Sequence, residues 1–210
     1  MDTEMTHRLT TSLLLSTAVT GVLLLAGCAS GSTAGSDVAP APSASSGTPS
    51  EQGSGTTTAN AGDEMFTTMM IPHHEQAIEM SDMILAKDGI DPRVTELAQQ
   101  VKDAQGPEIA QMRGWLTEWG VDAPEDMGGH NMGDDGMMGE EDMAALEAAS
   151  GVEASRLFLE GMIVHHEGAI DMAESELAQG QHAEVRELAQ QVIDGQSAEI
   201  AEMREILASL

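Results

Sequence analysis

From residue 92 onward apolar side chains return on one helical face. Val94, Leu97, Ala98 and Val101 are followed by Met112 and Leu116, the 3.6-residue period of an amphipathic helix. Val185, Leu188, Ala189, Val192, Met203 and Leu207 repeat the stripe. No stretch alternates with the two-residue period of a strand. Asp91-Pro92 supplies an N-cap and a first-turn proline, and Lys87-Asp88-Gly89 the stop before it. The spacing therefore predicts helices paired through short turns.

The pattern is duplicated. From Phe66 to Met80, nine of fifteen residues match those 92 positions later. From Glu96 to Arg113, thirteen of eighteen match at an offset of 91. Each copy reads as an αα-hairpin whose second version lost one turn residue. Two hairpins predict an all-α four-helix bundle over 63–210, with repeat one at 63–119, a connector at 120–140 and repeat two at 141–210. Pro72 and Pro107 each remove a helical amide, so kinks are expected in the first hairpin.

The best-kept block carries chemistry. Met70-Ile71-Pro72-His73-His74-Glu75-Gln76-Ala77-Ile78-Glu79-Met80 returns as Met162-Ile163-Val164-His165-His166-Glu167-Gly168-Ala169-Ile170-Asp171-Met172. At 100° per residue, Met70, His73, His74 and Met80 share about a third of the circumference. Met162, His165, His166 and Met172 do the same. Core packing explains a methionine stripe but not an adjacent histidine pair. Imidazole and thioether together suit copper, Cu(I) first and Cu(II) or Ag(I) as alternatives, better than iron, magnesium or calcium. Past Val101 the partner stripe meets Gln105, Glu108 and Met112; past Val192 it meets Gln196, Glu199 and Met203. Inward polar residues need partners. Folding each hairpin about its turn puts His74 level with Gln105 and His166 level with Gln196. These Gln and Glu side chains are expected to orient imidazoles or to bind metal directly.

The Met-Ile-x-His-His-x-x-Ala-Ile-x-Met pattern, its duplication and the Gly/Met-rich connector resemble the domain of unknown function 305 family over about residues 63–210. The resemblance implies a ferritin-like four-helix bundle, exported, with copper binding in some members. It carries over Met70, His73, His74, Met80, Met162, His165, His166 and Met172. Di-iron bundles use Glu-x-x-His on facing helices. Here the spacing is Met70-x-x-His73 and Met162-x-x-His165, and the thioether shifts preference from hard iron toward soft Cu(I).

Composition narrows the rest. The formal net charge is -28, from 36 acids against 8 bases. That balance excludes a nucleic-acid footprint and favours gathering cations. Fourteen of 16 methionines follow residue 62, more than a core needs for filling. Leu13 to Ala26 is a 14-residue apolar run, short for a permanent span and suited to a signal peptide over 1–27. Asp2 and Glu4 sit badly ahead of it, which leaves Met1 and Met5 as alternative starts. Leu25-Ala26-Gly27-Cys28 resembles a bacterial lipobox. Cys28, the one cysteine, would then carry lipid and anchor the protein to the outer face of the cytoplasmic membrane. Residues 28–62 complete a Ser/Gly/Pro-rich tether.

Within the connector, Met127, His130, Met132, Met137 and Met138 stand among glycines and acids. They are expected to form an adaptable capture segment with exposed thioethers; the acids lack calcium-loop spacing. The chain thus predicts an exported lipoprotein that binds copper for sequestration, resistance or delivery to a metal-exchange partner. No organic cofactor and no turnover chemistry are expected. A metal oxidase on the same scaffold and a metal-free envelope interaction module are the alternatives.

Overall fold

The computed structural model describes residues 58–122 and 135–210. The signal peptide, Cys28, most of the tether, and Met127, His130 and Met132 lie outside the described residues. Helix α1 (Ala61–Leu85) turns into α2 (Pro92–Trp119); a short α3 (Glu140–Ala148) precedes α4 (Gly151–Gln179), which turns into α5 (Ala183–Ser209). The four long helices pack as two hairpins, α1 on α2 and α4 on α5, joined mainly along α1 and α4. No helix among the described residues is long and apolar enough to cross a membrane.

Local chemistry sets the ends. Asn60 caps α1 in a capping box, accepting from the Gly62 and Asp63 amides while the Asp63 carboxylate accepts from the Asn60 amide. Asp91 accepts from the Arg93 amide, Pro92 opens α2, and left-handed Gly120 closes it. Both α1 and α2 continue through their internal prolines, Pro72 and Pro107. Helix α3 is an addition to the expected plan. Glu140, Glu141 and Asp142 favour its N-terminus, and Lys87 donates to the Glu147 and Ala149 carbonyls at 2.7 and 3.0 Å beside its C-terminus. Its Leu146 is fully buried in the core.

The core is divided. One apolar cluster contains Met80, Ile84, Leu97, Phe158, Met162 and Met203. The other contains Phe66, Met70, Met112, Trp115, Leu188 and Val192. Along each long helix the switch between clusters falls at a polar residue: His73 and His74, Gln105, His165 and His166, and Gln196. A polar layer therefore crosses the middle of the bundle.

A second polar cluster fastens one end. The Asp63 carboxylate, at the start of α1, accepts from the Gln181 and His182 amides at 3.0 and 2.9 Å, and Asn60 donates to the Gln179 carbonyl at 2.9 Å. Arg186 donates to the Leu177 and Gly180 carbonyls in the same α4–α5 turn. Glu176 is buried there. Burial first, then the neighbouring Asp63 carboxyl, pushes it from 4.5 up to about 8, against the opposing pull of Arg186. Because folding raises this affinity for a proton, its stabilising effect is complete below the unfolded value and is lost as pH rises through about 8. Glu176→Gln should remove that alkaline loss. Urea denaturation compared between about pH 5 and about pH 9 checks it: the native protein should weaken across this range more than the variant.

Candidate metal centre

The doubled motif sorts its side chains by helical angle. His73, His74, His165 and His166 are all buried. The acids that follow them turn outward: Glu75 pairs with Arg113, and Glu167 pairs with Arg204 at 2.6 Å. These outer pairs tie α1 to α2 and α4 to α5 beside the layer.

Inside, His73 and His165 meet across the α1–α4 seam with ring centroids 3.7 Å apart and planes tilted by 39°. The His165 and His166 centroids are 6.3 Å apart. His74 Nε2 lies 2.8 Å from Glu108 Oε2, and His166 Nε2 lies 2.7 Å from Glu199 Oε2. His73 Nε2 lies 3.0 Å from the Asp135 carbonyl. A carbonyl only accepts, so His73 Nε2 carries the hydrogen and Nδ1 keeps its lone pair. The Glu108 and Glu199 carboxylates likewise accept from the Nε2–H of His74 and His166. Among the described residues the Nδ1 atoms of all four histidines and Nε2 of His165 have no hydrogen-bond partner.

Burial keeps His73 and His165 uncharged. It lowers His73 from 6.5 to about 3, with the nearby His74 and His166 adding to the effect. His165 is likewise held well below its usual range, by burial and then by His73, His166 and His74. Neutral imidazole is the form that coordinates metal. The layer therefore offers unpartnered buried nitrogen atoms, with an oxygen acceptor behind three of the four rings.

The expected ligands do not all meet. Met70 and Met112 are fully buried in one apolar cluster, and Met80, Met162 and Met203 in the other, so thioethers flank the histidines from both sides. Met172 differs from its counterpart Met80: it is only partly buried and lines a surface cleft. Glu108 and Glu199, rather than Gln105 and Gln196, reach the imidazoles, because they lie one helical turn further along. Both amide atoms of Gln105 and Oε1 of Gln196 are buried without partners. Among the described residues no three His, Cys, Asp or Glu side chains are gathered closely enough to hold an ion by themselves.

The end of the connector adds what the sequence did not announce. Gly136 has φ 79°, and the Asp135–Gly136 turn lies on α4 so closely that a β-carbon on Gly168 would fall 1.9 Å from the Asp135 oxygen. Gln76 holds the same strap, donating to the Met138 carbonyl at 2.9 Å and accepting from its amide at 2.8 Å. Met138 is consequently packed against the core instead of exposed, and Met137 is partly buried. The glycine-rich composition hid this, because one side-chain anchor and one close backbone approach fix the strap without helical periodicity.

The model of the family described as domain of unknown function (DUF305) matches residues 63–207. The fold is similar to a DUF305 fragment from Deinococcus radiodurans, with TM-score 0.67 and 30% identity, covering 72% of this chain and 99% of that one. It is also similar to a DUF305 protein from Streptomyces coelicolor, proposed to be secreted, with TM-score 0.64 and 30% identity over 70% of this chain and 91% of that one. A third similar structure is CopM in its Cu(I)-bound form, with TM-score 0.59 and 30% identity over 70% of this chain and 96% of that one. CopM has also been solved with Cu(II) and with silver. No curated protein sequence matches the chain.

Since His73 and His165 are held neutral by burial when folded, acid should destabilise the protein. The depressed His73 value means that stability is complete above 6.5 and is lost as pH falls toward about 3. Replacing His73 and His165 by Leu should abolish most of this acid sensitivity. Near neutral pH it should leave the metal-free fold unchanged or more stable by about 1 kcal/mol, since unpaired polar groups are exchanged for apolar ones. Urea midpoints across the acid range test both statements.

Proposed function

From the premise that this chain belongs to the DUF305 family, we propose that it is an exported protein that binds soft monovalent copper in its central histidine layer, for sequestration or delivery. The observation that carries this is the set of four buried imidazoles whose Nδ1 atoms lack partners among the described residues, flanked by buried thioethers. Unpaired buried lone pairs destabilise a fold unless a ligand uses them. Nitrogen and thioether donors together favour Cu(I) and Ag(I), and imidazole also accommodates Cu(II). Copper is the cargo, held by ligand exchange without turnover. His73, His74, His165 and His166 would supply nitrogen, and Met70, Met80 and Met162 are the buried thioethers on the same two helices. Glu108 and Glu199 would hold His74 and His166 in the coordinating tautomer. The binding of copper and silver by CopM supports the same choice of ion.

The sequence of Leu25-Ala26-Gly27-Cys28 supports export with a lipid on Cys28, which would hold the bundle at the outer face of the cytoplasmic membrane on a long tether. A partner that accepts or donates the ion by ligand exchange follows from that role. The acidic surface would concentrate cations around it.

Anaerobic titration with Cu(I) against a chromogenic chelator should show tight binding that weakens on acidification. Changing His73 and His165 together to Ala should weaken it by at least about a hundredfold, and Glu108→Gln with Glu199→Gln by about tenfold. Unchanged affinity in the histidine variant would sink the proposal.

A further inference from the structure

Beside the histidine layer lies a cleft of about 270 Å³ at the outer face of the α1–α4 seam. Met65, Met69 and Met172 all line it, together with Phe66, Asp135 and Glu176. Met65 is 67% exposed, so packing does not explain its thioether there. Nor does the repeat: the positions equivalent to Met65 and Met69 are Leu157 and Gly161. Neither equivalent position carries a methionine of its own.

The other end of the seam gives an independent pointer. A β-carbon on Gly161 would lie 2.6 Å from Met138 Sδ and 3.4 Å from Met80 Cε. The strap therefore lays Met138 sulfur where the repeat's side chain is missing, next to Met80, the counterpart of Met172. At one end Met69 and Met172 line a common cleft, and at the other Met138 and Met80 lie against the same glycine, although the sulfur comes from different parts of the chain. Filling space would need only a leucine at position 161.

The cleft also touches the layer. Asp135 lines it, and the Asp135 carbonyl is the group bonded to His73 Nε2. Asp135 is thus common to the cleft and to the His73 hydrogen bond.

We propose that Met65, Met69 and Met172 form a surface capture site for a soft monovalent cation, Cu(I) or Ag(I), which passes from there to the histidine layer. Thioethers hold such an ion reversibly, and they select it against the hard cations that the acidic surface also attracts. The step is ligand exchange only, with no change of oxidation state. This rests on the copper reading above for the destination of the ion, but not for the existence of the cleft site.

The test is Ag(I) titration of the full chain carrying ¹³C-methyl methionine, followed by methyl and imidazole resonances together. The methyl signals of Met65, Met69 and Met172 should shift on the first additions; if they stay fixed while silver binds elsewhere, the capture site is wrong. With His73→Ala and His165→Ala the same three shifts should persist; their disappearance would also overturn a separate site. With Met65→Leu, Met69→Leu and Met172→Leu, circular dichroism should stay helical and the imidazole signals should reach the same end point. Stopped-flow loading should be slower by about tenfold, and loading at the native rate would overturn the transfer step. Imidazoles that never respond while the three methyls shift would refute the histidine site and leave the capture site standing.

Discussion

The structure depends on one costly arrangement: four imidazoles buried side by side, with nitrogen atoms left unpaired among the described residues. The two apolar clusters on either side of this layer supply the hydrophobic stabilisation that keeps it in place. Glu108 and Glu199 satisfy one nitrogen each from the partner helices, and the surface pairs Glu75–Arg113 and Glu167–Arg204 fix the helical register beside them. Three of the rings are hydrogen-bonded at Nε2, and all four are unpartnered at Nδ1 among the described residues. A ligand that engages only the folded form would recover part of the desolvation cost as binding stability.

Duplication explains why so much symmetry survives around that layer. His73 and His165 meet across the α1–α4 seam, so each repeat contributes half of the contact. The fastening at the ends is less symmetric. Asp63 ties α1 to the far turn with a carboxylate, whereas its counterpart Ser155 offers only a hydroxyl to the Asp91 amide at 3.4 Å. One end of the bundle therefore holds a buried acid pair, and the other has a neutral equivalent.

Periodicity made the four long helices legible, because each presents a continuous apolar face with recognisable caps at Asp91–Pro92 and Gly120. The inward direction of His73, His74, His165 and His166 was equally legible from helical angle. The partners were readable only as a set. Four neighbouring polar positions lie on the facing stripe, and a shift of one turn decides that Glu108 and Glu199 meet the rings instead of Gln105 and Gln196. Helix α3 was missed because a nine-residue helix with a single buried side chain, Leu146, has no stripe to read. Its acidic first turn was the available signal. Met172 differs for another reason: the repeats are alike in sequence, but Met80 is fully buried beside the strap's Met138, whereas Met172 is partly buried and lines a surface cleft.

The strap has a consequence for how such a bundle can be assembled. It is held by Gln76 on α1 and by the bare backbone of Gly168 on α4, and these are the same position of the two repeats. Two identical hairpins, associating about a two-fold axis, would carry one residue type at both places. They would have either two anchors with no room for the strap, or room with no anchor. Joining the hairpins in one chain released that position from identity and let a single off-axis segment reach His73. The linkage between repeats is thus more than a tether between halves: it permits an asymmetry that an oligomer of the half-molecule could not encode.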